Sequence, residues 1–245
     1  MKYVRTLDEG IFLRRYKRFF ADIQWQGQTL IAHVANTGSM KSANNPGHPC
    51  LFSHSDNPER KLKQSLEAIR SLSGVWIGVN TATPNAVVRE TLERIVQAPV
   101  GTKFHKNWSH WQGFDSVKPE FKISAETRLD FALGKSGTDK KHFVEVKNVT
   151  LAEGDVAMFP DAETTRGQKH LQELMKLVDE GHTAEILFTI QRNDCEHFAA
   201  AHLIDQEYGR LLKMALDKGV RVTPLVVDIH PNEVTLSERT LSLRL

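Results

Sequence analysis

One stretch limits the fold more than any other. Phe143-Val144-Glu145-Val146-Lys147-Asn148-Val149 has the β-branched make-up of a buried strand, yet it carries a carboxylate and an ammonium two residues apart. Side chains at i and i+2 of a strand share a face, so Glu145 and Lys147 enter the interior together. Burying both is costly unless each finds a partner. The preceding strand supplies one: Asp130, in Thr127-Arg128-Leu129-Asp130-Phe131. Gly134-Lys135-Ser136-Gly137-Thr138-Asp139 joins the two strands as a hairpin that can bring Asp130 to Glu145. Two carboxylates and a lysine suit a hard divalent cation, Mg²⁺ or Mn²⁺, which takes a few carboxylates plus water and phosphate oxygens. Such a metal stabilises charge on a scissile phosphate and acidifies a bound water. Lys147 would orient that water or stabilise the developing charge. The plain alternative is a cross-strand ion network on a sheet face.

The rest of the chain falls into two styles. Residues 1–80 read as short strands. Ile11 to Ile23 is rich in bulky apolar residues, Gln24–Gln28 is a hairpin turn, and Leu30–Val34 is the return strand. Residues 58–72 are ambiguous: Pro58 with Leu62, Leu66 and Ile69 suits a helix, though Leu62, Leu66 and Ala68 could line a strand. Val75–Val79 is a compact strand. From residue 83 the spacing turns helical, with Thr83 as cap, Pro84 in the first turn, and Val88, Leu92 and Ile95 on one face. Strands follow at Phe121–Ile123, Arg128–Leu133 and His142–Val149. Then come a helix at Arg166–Glu180, a strand at Ala184–Ile190, a helix capped by Asp205, and a last strand at Val220–Asp228. Pro224 inside that last strand predicts an edge position. Alternating strands and helices require a mixed sheet covered on its faces.

Composition narrows the function classes. The 245 residues carry 32 Lys plus Arg against 30 Asp plus Glu, so overall charge does not announce a nucleic-acid binder and local charge must do so. No apolar run approaches the roughly 18–20 residues that span a bilayer, and Met1–Gly10 lacks the apolar core of a secretory signal. Two cysteines, Cys50 and Cys195, offer neither a disulfide framework nor a thiolate zinc site. A reducing cytoplasm is the expected setting, with no membrane partner. His54, His105, His110, His142, His182, His197 and His202 show no metal-ligand spacing, so zinc is not expected.

Asp130…Glu145-x-Lys147 resembles the D…(D/E)-x-K signature of restriction-endonuclease-like nucleases. Leu129 stands where proline often precedes the aspartate. More of the chain is similar to the sugar fermentation stimulation protein A family. The matching segments include Arg14-Arg15-Tyr16-Lys17-Arg18, Asn36-Thr37-Gly38-Ser39-Met40, Asn57-Pro58-Glu59-Arg60, Pro84-Asn85, Phe159-Pro160-Asp161-Ala162 and Arg166-Gly167-Gln168-Lys169-His170. The resemblance runs from about residue 5 to the C-terminus. It implies an α+β protein: an N-terminal OB-like β-barrel at residues 1–82, then an α/β restriction-endonuclease-like domain with a mixed central sheet at 83–245. It also implies that residues 60–70 form a barrel strand rather than a helix. The family is described as DNA-binding and linked to regulation of sugar fermentation. Asp130, Glu145 and Lys147 then become the catalytic set of a Mg²⁺-dependent nuclease. Glu90, on the first helix of the second domain, becomes a further metal ligand beside Asp130 and Glu145. Glu120 also matches, without an assigned role.

Nucleic-acid contacts are expected at two places. Arg14, Arg15, Tyr16, Lys17 and Arg18 pack four cations around a ring, and Phe12, Tyr16 and Phe20 would share a strand face with Arg14 and Arg18. Mixed rings and cations on a β-surface stack bases and follow the phosphates. Lys61 would extend this surface. Arg166, Gln168 and His170 open a helix and could meet phosphate at its N-terminus. The expected partner is nucleic acid, DNA ahead of RNA, with a homo-oligomer left open. A non-catalytic DNA-binding regulator and an RNA-binding or RNA-processing protein fit the same residues.

Overall fold

The computed structural model describes residues 1–99 and 101–244. Its first part contains β1 (Asp8–Tyr16), β2 (Phe20–Trp25), β3 (Gln28–His33), β4 (Pro49–His54), β5 (Gln64–Arg70) and β6 (Trp76–Gly78). β1 pairs antiparallel with β2 and β4, and β4 pairs with β5. β5 then closes on β3 in parallel through Ala32–Gln64 and His33–Ser65, giving a closed five-stranded barrel. Closure removes the exposed edges that short strands would otherwise present. Phe12, Ile23, Phe52, Leu66 and Ile69 fill its interior.

Residues 64–70 are a strand, as the family resemblance implies. Ser65 through Ile69 are buried without alternation. A strand covered on both faces loses its period of two, and that loss is what made the segment read as helical. The turn at Gln26–Gly27 is as expected, with φ of 49° and 77°. A second turn was hidden. Lys17 and Arg18 adopt φ of 45° and 63°, so the Ile11–Ile23 stretch is two strands joined at Lys17–Phe19. No glycine marks that turn, although such backbone favours one.

The second part contains α1 (Thr83–Val96), a 3₁₀ turn at Ser109–Trp111, β7 (Ser116–Lys122), β8 (Arg128–Gly134), β9 (Lys141–Val149), β10 (Ala152–Glu153), β11 (Val156–Phe159), α2 (Thr165–Asp179), β12 (Thr183–Ile190), β13 (His197–Ala200), α3 (Gln206–Asp217), β14 (Arg221–Ile229), β15 (Val234–Thr240) and β16 (Ser242–Arg244). The main sheet runs β15-β14-β12-β9-β8-β7. β9 sits inside it, antiparallel to β8 and parallel to β12. Leu171, Leu174, Leu211 and Leu212 from α2 and α3 cover one face, with Phe143 beneath them. Val87, Val88, Leu92 and Ile95 of α1 cover the other, over Val144 and Val146. Thr164 caps α2 by accepting the Gly167 N–H, and Asp205 caps α3 through the Tyr208 N–H. Among the described residues no helix is long and apolar enough to cross a membrane.

Two expectations need correction. Thr83 does not cap α1: it is the first helical residue, Ala82 stands at the N-cap, and among the described residues no side chain caps that end. β14 is not an edge strand: β15 follows it and pairs outside it. Pro224 is accommodated next to a register shift between Leu225 and Val227, where the ladder is already broken, and its carbonyl still accepts the Leu241 N–H at 2.9 Å. The small second sheet of β10, β11, β13 and β16 also went unseen, because its strands are only two to four residues long.

The barrel is seated tightly on the second domain. The Gly78 N–H donates to the Gln191 carbonyl at 2.9 Å, and a Cβ at Gly78 would lie 2.6 Å from Gln191 Oε1 and 2.7 Å from Ile229 Cδ1. Gly78→Ala should therefore displace the buried ends of the Gln191 and Ile229 side chains and lower stability by about 1–3 kcal/mol in urea unfolding. A loss under about 0.5 kcal/mol, within the range of ordinary surface changes, would show that the seam tolerates a methyl group.

Candidate metal centre and its groove

Strand alternation sends Phe143, Glu145 and Lys147 of β9 toward α2, and Val144 and Val146 toward α1. Glu145 is only 3% exposed. Its Oε1 takes the Lys147 ammonium at 2.6 Å and also a short contact from His170 Nδ1, delivered by α2. Arg166 Nε donates toward His170 Nε2 at 3.5 Å, so the ring carries its hydrogen on Nδ1 and gives it to Glu145. Glu145 Oε2 has no partner at all, although buried.

Asp130 completes the centre. The regular β8–β9 ladder ends at the Phe131–Val144 pair. Beyond it Asp130 Oδ2 accepts the Val146 N–H at 2.8 Å, and Asn85 of α1 donates to Oδ1 at 2.7 Å. Burial, and then the nearby charge of Glu145, push the Asp130 carboxyl up to about 6. Glu145 moves the other way: burial opposes its charge, but Lys147 and His170 outweigh that and hold it below the usual carboxylate range. Two crowded carboxylates, one with an orphaned oxygen, are a donor set that fits a hard divalent cation.

An open groove adjoins this centre. Glu120, Thr127, Arg128, Arg166, Lys169 and His170 line it. Glu120 lies between the β7–β8 pairs Pro119–Phe131 and Phe121–Leu129, which sets it across the ladder from Asp130. Its φ of 49° is left-handed backbone in a residue with a side chain, and such strain gathers at functional sites.

The comparisons with known proteins agree with this architecture. Residues 13–79 match a family model described as the SfsA N-terminal OB domain, and residues 82–233 match the sugar fermentation stimulation protein RE domain. The chain belongs to the sugar fermentation stimulation protein family. A family homolog from Bdellovibrio bacteriovorus is 62% identical, with both chains covered in full. Another, from Geotalea uraniireducens, is 44% identical over 95% of each chain. A solved structure of Pyrococcus furiosus SfsA in complex with Ca²⁺ superposes with a TM-score of 0.82 at 26% identity, covering 100% of this chain and 98% of that one.

Against the family expectation for site residues, the structure gathers some and separates others. Asp130, Glu145 and Lys147 come together, and His170 joins them as a buried partner of Glu145 rather than as a surface phosphate contact. Glu90 does not join: it is exposed and pairs with the Met1 amino group at 3.2 Å. Asn85, five residues earlier on α1 and on a different side of the helix, is the residue that reaches Asp130, and the Pro84-Asn85 match was its sequence signal. Gln168 is occupied by Asp205, to which it donates at 2.9 and 3.1 Å. Arg15 clamps the barrel loops, donating to the carbonyls of Arg18, Gly38 and Asn36. Phe12 is inside the barrel, because a bulge between Phe12 and Arg14 turns the two to different sides. Arg14 pairs with Asp22 at 2.7 Å and lies over the Tyr16 ring, which stacks on Phe20. Lys17 and Arg18 sit exposed at the hairpin tip, and Lys61 is exposed on the barrel.

A pH dependence follows from Asp130. Its folded pKa lies above its unfolded value, so between about pH 4 and 6 the folded protein holds a proton that the unfolded chain has lost. This group therefore makes the metal-free protein less stable as pH rises through that window, by at most on the order of 3 kcal/mol. Asp130→Asn should remove that decline and raise the melting temperature of metal-free protein at pH 7. Unfolding curves at several pH values in chelator test this, and an Asp130→Asn protein less stable than wild type at pH 7 would contradict it.

Proposed function

We propose that this protein is a divalent-metal-dependent nuclease acting on DNA, with the barrel as its nucleic-acid-binding module. The observation that carries the reading is the orphaned, buried Glu145 Oε2 beside the proton-hungry Asp130 carboxyl. Asp130 and Glu145 would hold Mg²⁺ or Mn²⁺, which when bound supplies Lewis-acid stabilisation of phosphate charge and an acidified water. His170 and Lys147 orient Glu145 from one side, and Asn85 and the Val146 N–H orient Asp130. The Lys147 ammonium, held at the centre, offers positive charge to a developing phosphorane oxygen. Arg128 and Arg166 line the groove with no carboxylate partner among the described residues, and so are free to take phosphates of the strand. The RE-domain match and the Ca²⁺ complex of the Pyrococcus relative support the reading, since Ca²⁺ and Mg²⁺ seek similar oxygen donors.

The barrel hairpin is tied toward the same groove. Arg15 holds the carbonyls of Asn36 and Gly38, and Ser39 donates through both its N–H and its hydroxyl to Asp161, just before α2. Lys17, Arg18 and the Tyr16–Phe20 stack thus project from a hairpin anchored to the segment that carries Arg166 and His170. A strand could follow cations from the hairpin tip to the metal centre, with bases on the rings.

Labelled single-stranded, double-stranded and branched DNA, with RNA counterparts, should be incubated with Mg²⁺ or Mn²⁺. Cleavage should appear with DNA and vanish in Asp130→Asn and Lys147→Ala, while Lys147→Ala still binds Mn²⁺. Replacing Lys17 and Arg18 by Ala should weaken binding and flatten the log–log salt slope by roughly 0.7–0.9 per lost phosphate contact. Tight binding without cleavage under any metal would make the protein a non-catalytic regulator, and cleavage confined to RNA would reassign the substrate.

A further inference from the structure

A second cluster lies on the opposite face of the main sheet. Glu185 of β12 is fully buried, yet its carboxylate has no lysine or arginine beside it among the described residues. His110 Nε2 stands 2.9 Å from its Oε2, His142 Nε2 3.1 Å, and Trp111 Nε1 2.7 Å. The Thr223 hydroxyl donates to Oε1. Sequence spacing cannot show this group, because its members lie at residues 110, 142 and 185 and meet only through the fold. His142 and Glu185 come from the adjacent parallel strands β9 and β12, and His110 from the 3₁₀ turn laid over them.

Crowding makes the cluster unusual. The Thr183 hydroxyl lies 2.9 Å from His142 Nδ1 and can donate to it, which puts the His142 hydrogen on Nε2, facing Glu185. Three nitrogens then converge on Oε2, an oxygen with two lone pairs. One cation accepting from both histidines and one lone pair of Oε2 would leave the other to the Trp111 N–H. Thr223 and Trp111 would then orient the carboxylate and Thr183 the His142 ring, which is how metal ligands are commonly steadied.

We propose that His110, His142 and Glu185 form a second metal site, for Zn²⁺ or a similar borderline transition ion. Two imidazoles and one carboxylate are an established donor set for that ion, with a fourth position left for water. Zinc bonds of about 2.0–2.1 Å in a tetrahedron put ligand atoms about 3.3 Å apart. The observed 2.9 and 3.1 Å separations need only a few tenths of an ångström of spreading. The three donor atoms all lie within 4.8 Å of one another. His110 is reached from a groove lined by Gln112, Phe114, Thr183 and Val220, which gives the ion its entry. Bound there, it pins the segment between α1 and β7 to the sheet. The oxygen-rich Asp130 centre and this nitrogen-rich one would sort metals by hardness.

The test uses untagged Asp130→Asn protein, so that the first centre is disabled. After incubation with Zn²⁺ and gel filtration, it should retain one zinc per chain. Its X-ray absorption should show two imidazole nitrogens in the first shell, one more than His170 could supply beside Glu145, and Co²⁺ should give the visible bands of a tetrahedral or five-coordinate site. Adding His110→Ala should weaken Zn²⁺ at least ~10-fold. Adding His105→Ala, on the same segment but outside the cluster, should change nothing. The absorption measurement needs no ligand variant, so it stands even if His110→Ala loosens the segment. No retained zinc, a first shell with fewer than two imidazoles, or equal affinity in the His110→Ala protein would overturn the site and leave two histidines hydrogen-bonded to Glu185. None of these outcomes bears on cleavage at the first centre.

Discussion

The buried Glu145 carboxylate organises the second domain. A charge so deep is tolerated only with compensating partners, and here they come from two directions: Lys147 on its own strand and His170 on α2. That requirement fixes how α2 lies on the sheet, because its sixth residue, His170, must reach β9. Thr164 and Asp205 hold the start of that helix by capping and by gripping Gln168. It also interrupts the β8–β9 ladder, where the Val146 N–H goes to the Asp130 side chain. Removing Lys147 or His170 would leave the Glu145 charge buried and under-compensated, which is more damaging than the loss of a surface pair.

The barrel and the second domain are locked by different means. Apolar residues of both, including Leu51, Ala68, Leu225 and Ile229, share one core. Gly78 allows the barrel backbone to touch Gln191. The Ser39–Asp161 bonds are polar and exposed, so they contribute register rather than much energy. An interface with a shared core fixes the hairpin tip relative to the groove.

How much of this was readable follows from the range of each interaction. Asp130, Glu145 and Lys147 were legible because strand alternation and one hairpin determine their meeting. The helices were legible from apolar spacing, and Asp205 as a cap from its place before it. The turn at Lys17–Arg18 was not, since cations there adopt a backbone that sequence rules reserve for glycine and asparagine. The bulge after Phe12 reversed the face assignment of everything beyond it, so Phe12 and Arg14 parted. Glu90 looked suitable on its helix, but the orientation of α1 brings Asn85 to Asp130 instead. Gln168 and Arg15 carry polar groups that could serve a ligand, and only the folded chain shows internal acceptors already taking them.

The same alternation that exposes Glu145 to α2 places His142 on the other face, and the parallel register of β9 with β12 sets Glu185 beside Val144 there. Two adjacent central strands thus carry buried carboxylates to opposite sides. The two are left in contrasting states. Glu145 has an oxygen with no donor, while Glu185 has an oxygen with more donors than lone pairs. The first state suits a cation that brings its own waters and seeks oxygen. The second suits a cation that can replace two imidazole hydrogens at once. A sheet buried on both faces cannot leave such charges to solvent, so each face must provide its own compensation, and the helix on one side and the aromatic loop on the other are where it comes from.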